Sequence, residues 1–322
     1  MTDRAARHET LSPALDGGLS VISIGAMMLL AVVWGLSIPI TKIGLETIPP
    51  ITLTALRFLI AVPLFLLLAA KRLWLPKEAI TGIVVLGVAG IAVGNVTQAY
   101  GVQGMSASAG TIISATIPIF VVILAAIRLN QPVAARQWAG LLAAFAGIGL
   151  VAAGSGQGIN DITQTTAGGV AWALVSSVVI AFYFIRSAEL AAKYGTLPVA
   201  AWNALAGLVA ILPLSALEIA HAPMQITAEA LGSILYLAAM VTVSGLFLWL
   251  YLLRTLPARV AASVQYLQPV FGIAASAALF GDRLGVLFGA GVRLILGGLA
   301  FVAANNPPRA SVRRNVGDET RR

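Results

Sequence analysis

Cysteine is absent from this chain, which excludes disulfides, thiolate metal sites and a cysteine nucleophile. Charge is scarce too. Only 10% of the 322 residues are Asp, Glu, Lys or Arg, against about 25% in a soluble domain. So few charges cannot cover a water-soluble globule whose residues are 59% hydrophobic. The same figures exclude disorder, which needs low hydrophobicity and high charge. Histidine occurs only at His8 and His221, both outside the long apolar runs. There is no GxGxxG or Walker sequence, so ATP drive is not indicated. The composition is that of a polytopic membrane protein.

What fills the chain is long apolar runs. A helix needs about 20 such residues to cross the hydrocarbon core. Ten runs qualify, at about 19–44, 50–70, 79–101, 106–128, 134–154, 167–190, 197–219, 228–253, 258–280 and 284–304. They are numbered here as spans 1 to 10. Most connectors are short and marked by Pro or Gly, as at Pro49-Pro50, Pro76, Gly104 and Pro198. The runs are too long and too little alternating for membrane β-strands. The first run contains Trp34 and Lys42 and exceeds the apolar core of a signal peptide, so it is expected to remain as a helix.

The net charge of +8 does not form a basic stripe with interleaved aromatics, so no nucleic-acid partner is expected. The cations report topology instead. With the N-terminus inside, the inner segments and tails hold 16 of the 20 Lys and Arg residues. The outer side holds Lys42 and Arg283, while Arg57 and Arg293 fall within spans. The expected arrangement has cytoplasmic tails at 1–18 and 305–322, five spans in 19–154, a connecting loop at 155–166 and five spans in 167–304.

The two sets of five echo each other. Shifting residues 94–153 by 151 positions places Gly94 on Gly245, Tyr100 on Tyr251, Pro118 on Pro269, Gly140 on Gly291 and Gly147 on Gly298. A slightly shorter shift in the first two spans places Arg57 on Asn203 and Ser37 on Tyr183. Five is odd, so two related units of five spans must lie inverted in the bilayer. Inverted repeats are a common plan of secondary transporters, with the substrate site between them near the midplane. The fold class expected is an all-α polytopic membrane protein of ten transmembrane helices in two inverted five-helix repeats.

Particular sequences point the same way. Trp34-Gly35-Leu36-Ser37 with Lys42, then Pro49-Pro50 and Ala55-Leu56-Arg57-Phe58, resembles the opening of the EamA unit of the drug/metabolite transporter superfamily. Residues 262–269, then Phe280-Gly281-Asp282-Arg283-Leu284 and Gly297-Gly298, resemble the end of a second unit. The chain departs from that pattern at Asn130-Gln131-Pro132-Val133, where such proteins often carry a Gly-Glu-Arg-Leu-like turn. The resemblance implies a bacterial inner-membrane exporter of small metabolites, similar to aromatic amino acid exporters. It implies a central cavity lined by spans 1, 3, 4, 6, 8 and 9, with spans 5 and 10 at the periphery. Its partners would be the small-molecule substrate and the lipid bilayer. No cofactor is implied and no oligomer is required.

Every carboxylate lies in a tail, a loop or a span end, and a proton-coupled pump usually places one inside the membrane. A uniport-like cycle is therefore expected, with proton coupling as the alternative. Asn95 and Gln98 are three residues apart in span 3, and Gln265 and Gln268 in span 9, so each pair shares a helix face. Amides both donate and accept, which suits a zwitterion; they also bind helices to one another. Pro118 and Pro269 are expected to break spans 4 and 9 and to free the carbonyls of Ser114 and Gln265 for contact or gating. Trp34, Ser37, Tyr183, Trp249 and Tyr266 are candidates for the pocket wall. Lys42, Arg57 and Arg293 are the charge candidates, with Glu46 a partner for Lys42. A phosphorylated-metabolite or nucleotide-sugar exchanger would need two or more cations facing the cavity, and an intramembrane enzyme would need paired acids or a dyad among the spans.

Overall fold

The computed structural model describes residues 21–70, 73–128, 138–140, 142–143, 146–147, 150, 165–255, 264–281 and 285–303. Regular structure among them is helical throughout. Helices α1 (Val21–Gly35) and α2 (Ser37–Leu45) make span 1, with Leu36 as a turn between them. Span 2 is α3 (Pro50–Ala69). Span 3 is α4 (Lys77–Leu86), a π segment (Gly87–Val93) and α5 (Gly94–Gln103). Helices α6 (Ala107–Ser114) and α7 (Ile117–Arg128) make span 4. Spans 6 and 7 are α8 (Ala167–Tyr194) and α9 (Thr196–His221). Span 8 is α10 (Ala228–Leu235), a second π segment (Tyr236–Ser244) and α11 (Gly245–Thr255). Helices α12 (Val264–Phe280) and α13 (Val286–Ala303) follow.

Among the described residues, six helices are long and apolar enough to cross a membrane: Val21–Leu45, Pro50–Ala69, Lys77–Gln103, Ala167–Tyr194, Thr196–His221 and Ala228–Leu252. They coincide with expected spans 1, 2, 3, 6, 7 and 8. Shorter apolar helices occupy the places of spans 4, 9 and 10. Most of the expected fifth span, most of the connecting loop, the Asn130–Val133 turn and both tails lie outside the described residues. Large apolar side chains cover the outside, among them Leu67, Val209, Leu217 and Val270. Lipid is the solvent that tolerates this, so helix packing rests on close contact and not on hydrophobic exclusion.

Close contact needs small residues at the crossings. A Cβ on Gly35 would lie 2.7 Å from the Gln268 carbonyl oxygen, and one on Gly87 would lie 2.6 Å from the Asn203 carbonyl oxygen. These glycines let span 1 sit on span 9 and span 3 on span 7.

The packing pattern carries the repeat into three dimensions. Span 2 packs on span 7 and span 4 on span 9. Span 3 packs on spans 6 and 7, as span 8 packs on spans 1 and 2. Span 1 packs on span 9, as span 6 packs on span 4. Exchanging the halves maps each of these interfaces onto itself or onto another in the set. The π segments obey the same register. Span 3 starts at Lys77 and span 8 at Ala228, and the π turns hand over to α-helix at Gly94 and Gly245.

A π turn loosens the regular backbone ladder, and its carbonyls take side-chain donors. In the first, Asn95 Nδ2 donates to the carbonyls of Gly90 (3.2 Å) and Ile91 (3.0 Å). In the second, Trp34 Nε1 reaches the Val241 carbonyl at 3.2 Å and Thr242 Oγ1 the Leu237 carbonyl at 2.8 Å.

Helix ends are closed by polar groups borrowed from other spans. Ser106, Thr166 and Thr227 cap α6, α8 and α10 in the ordinary local way. Helix α3 starts at Pro49-Pro50 and has no side-chain cap of its own. Glu218, near the end of α9, supplies one. Its carboxylate accepts from the Thr52 amide (2.7 Å), the Thr52 hydroxyl (2.8 Å) and the Ile51 amide (3.3 Å). At the end of span 3, the Lys42 ammonium donates to the carbonyls of Met105 (2.7 Å), Val102 (3.1 Å) and Gln103 (3.2 Å). A cation there also complements the negative end of the α5 dipole. Lys42→Met is expected to lower stability by about 1–2 kcal/mol; thermal unfolding in detergent at the wild-type midpoint would contradict the capping role.

Candidate functional site

A small polar cavity lies where spans 1, 2, 3 and 8 meet. Thr41, Leu53, Thr54, Arg57, Asn95, Gln98, Ala99 and Leu237 line it. Its open space is about 10 Å³, room for about one water molecule. That is too small for any amino acid, so the spans must part before a substrate of that size can enter.

Each lining group is placed by the helix that carries it. Thr54 and Arg57 are three apart on α3, and Asn95 and Gln98 three apart on α5, so each pair points one way. Thr41 and Thr54 spend their hydroxyl protons on carbonyls one turn back, those of Ser37 (2.7 Å) and Pro50 (2.8 Å). Their oxygens remain acceptors. Asn95 gives its amide protons to the first π segment, which leaves its Oδ1 as an acceptor. The Gln98 amide has no hydrogen-bond partner among the described residues, so both of its functions are open.

Arg57 dominates the electrostatics. Its Nε donates to Thr242 Oγ1 at 2.8 Å, and its Cζ lies 5.4 Å from the centroid of the Phe58 ring. Among the described residues, the ion pairs are Arg128 with Glu189 and Arg186 with Glu189, and no carboxylate pairs with Arg57. Among the described residues, neither Nη group has a protein acceptor. A guanidinium held by one nitrogen, with its fork unoccupied beside a polar cavity, is arranged to take a carboxylate or another planar anion by two parallel bonds.

The other expected residues are distributed as follows. Trp34 and Trp249 pack at 5.9 Å between centroids within an apolar cluster that includes Leu30, Leu252 and Phe271. Ser37 donates to the Trp34 carbonyl at 2.6 Å. Gln268 is half-buried on α12, whose backbone meets Gly35. Tyr183 packs against the core of spans 2, 3, 7 and 8 and does not line the Arg57 cavity. Arg293 is exposed on α13, also away from the cavity. The side chains of Gln265, Tyr266 and Pro118 lie outside the described residues.

Two expectations differ from what the helices do. Span 4 is interrupted at Ala115–Thr116, between α6, which ends at Ser114, and α7, where Pro118 is the second residue. Pro269 does not break span 9: it lies inside α12, which runs on to Phe280. A proline removes one bond of the ladder, and the rest of a packed helix can hold its course. Span 2 also enters the cavity wall, because α3 packs on the second π segment and so turns Arg57 toward Thr242.

With this geometry in view, the comparison with known proteins is direct. Residues 21–153 and 167–304 each match the EamA-like transporter family. The chain belongs to that family. A "probable amino-acid metabolite efflux pump" of Salmonella typhimurium is 27% identical, over 84% of this chain and 91% of that protein. A "probable terminal-alkyne amino-acid exporter" of Streptantibioticus cattleyicolor is 27% identical, over 85% and 93%. A solved crystal structure superposes with a TM-score of 0.60 at 20% identity, covering 87% of this chain and 96% of that one. This likeness concerns the fold.

The EamA assignment makes the chain a multi-pass membrane transporter. Sequence reading reached Arg57, Asn95 and Gln98 but missed Thr41, Thr54 and Thr242. Thr41 was legible as the residue one turn after Ser37, and Thr54 as the one a turn before Arg57. Thr242 carries no sequence sign, since its meeting with Arg57 spans 185 positions.

Proposed function

We propose that this EamA transporter exports amino acids, aromatic ones among them, across the bacterial inner membrane. The carrying observation is the Arg57 guanidinium, held through Nε with its fork free at a polar cavity. In this reading the substrate carboxylate occupies that fork. The ammonium sits among Asn95 Oδ1, Gln98 Oε1 and the hydroxyl oxygens of Thr41 and Thr54, all neutral acceptors. A zwitterion so held needs no fixed anion in the protein, which fits the absence of a carboxylate from the cavity lining. The names of the two relatives point to the same substrate class.

Ten spans in two inverted units would then work by alternating access. The free space of about 10 Å³ has room for about one water, so the site must widen to take the substrate. The cycle is uniport-like, because no titratable acid contacts the cavity among the described residues. A phosphorylated-metabolite exchanger would call for a second cation in the lining, and among the described residues Arg57 is the one cation there.

The direct test is counterflow of labelled amino acids in proteoliposomes, with and without a pH gradient. Exchange of one or more amino acids, indifferent to the gradient, is expected. Exchange of none would defeat the substrate class, and uptake that follows the gradient would defeat the uniport reading. Gln98→Ala is expected to slow exchange about tenfold at normal membrane yield, the effect of losing one well-placed hydrogen bond to a charged group.

A further inference from the structure

Asn203 is completely buried on α9, and among the described residues neither its Nδ2 nor its Oδ1 has a partner within hydrogen-bond distance. An orphaned amide inside a membrane protein is costly, so its retention asks for a reason. Its surroundings are organised. The Tyr183 hydroxyl lies beside it, and Ser187, one turn further along α8, lies beside that same hydroxyl. The Tyr183 ring packs against Gly90, and the Asn203 backbone packs against Gly87, both in the first π segment. A donor and two kinds of acceptor thus converge between spans 3, 6 and 7.

The internal repeat relates this cluster to the Arg57 site. The shift that places Arg57 on Asn203 also places Ser37 on Tyr183 and Thr41 on Ser187. Where the Arg57 cavity has Asn95 and Gln98, the other half has Leu246 and Trp249. The second cluster is therefore the neutral, less polar counterpart of the first. The two are also separated along the bundle. Thr52 meets Ser215 and Ala55 packs with Ile211, so α3 and α9 run antiparallel. Asn203 lies about two turns past Ile211 while Arg57 lies about half a turn past Ala55, which displaces the sites by roughly 9 Å along the axis.

We propose that Asn203, Tyr183 and Ser187 form a second contact point for the ammonium–carboxylate end of the substrate, used at the opposite stage of the cycle from the Arg57 site. Asn203 Nδ2 and the Tyr183 hydroxyl donate to the carboxylate, and Asn203 Oδ1 and the Ser187 oxygen accept from the ammonium. The inference rests on the amino-acid reading above. Having no charge, this point holds the substrate less firmly than Arg57 and passes it on.

The test compares the full-length wild type with Asn203→Leu and Tyr183→Phe. Tyr183→Phe keeps the ring that packs on Gly90 and removes only the hydroxyl. Tritiated phenylalanine, leucine and alanine are the probes, each measured for equilibrium binding in detergent and for counterflow in proteoliposomes. Both variants are expected to bind the transported probe within about twofold of wild type, through Arg57, while counterflow falls about tenfold. A purely structural role would instead lower the unfolding temperature and binding together, and that result overturns the proposal. Counterflow at the wild-type rate in both variants overturns it as well, leaving the amino-acid reading intact. A wild type that binds and exchanges none of the three probes removes the amino-acid reading, and this inference goes with it.

Discussion

Arg57→Ala is expected to reduce amino acid counterflow by at least about 100-fold while the protein still reaches the membrane and purifies as wild type. The side chain touches Thr242 through Nε and nothing else polar among the described residues, so its removal breaks one internal hydrogen bond. What is lost is the substrate's anchor. A bidentate guanidinium–carboxylate pair in a water-poor site is worth about 3–5 kcal/mol when one partner is deleted. Arg57→Lys keeps the charge but loses the fork and the Nε bond. It should fall between, about tenfold below wild type. Counterflow by Arg57→Ala within about threefold of wild type would refute the anchor role.

Glu218→Ala is expected to give the largest loss of stability among single changes at the helix ends. The carboxylate closes the first turn of a helix that starts with two prolines, and it does so across 166 residues of chain. Its removal orphans the Thr52 amide and hydroxyl and the Ile51 amide, and frees the Tyr100 hydroxyl 3.4 Å away. Losing a cap of this kind costs about 2–3 kcal/mol. For a chain of this size that lowers the unfolding midpoint by about 5 °C. Glu218→Gln keeps one acceptor oxygen and should recover about half. An unchanged midpoint for Glu218→Ala would show that water serves those amides equally well. The ends of spans 4 and 6 make a contrast. The Arg128–Glu189–Arg186 cluster there is well formed but exposed, and pairs of that kind contribute about 1 kcal/mol or less.

The sequence was most legible where physics leaves few choices. Spans announce themselves because the bilayer demands long apolar helices, and the six long ones fall where hydropathy places them. The Pro-to-Pro and Gly-to-Gly register between the halves anticipated the paired interfaces. Arg57 and the Asn95–Gln98 pair stood out because polar groups are rare in apolar runs. The π segments were not legible. Both runs, around Gly90 and Met240, read as ordinary helix, and the extra residue shows only in the backbone bonding. Pairings across the halves were equally hidden, as with Glu218 on Thr52, Arg57 on Thr242 and Trp34 on Val241. They depend on which helices cross at which height, and local pattern does not encode that. Pro269 gave the opposite lesson. A residue known as a helix breaker lies inside a helix that runs on past it to Phe280, where span 1 approaches closely through Gly35.

The antiparallel seam between spans 2 and 7 maps onto itself when the halves are exchanged. Such an isologous contact is what two copies of one unit form when they meet in opposite senses. Were the two matched stretches, residues 21–153 and 167–304, made as separate polypeptides, each would still carry its own side of that seam.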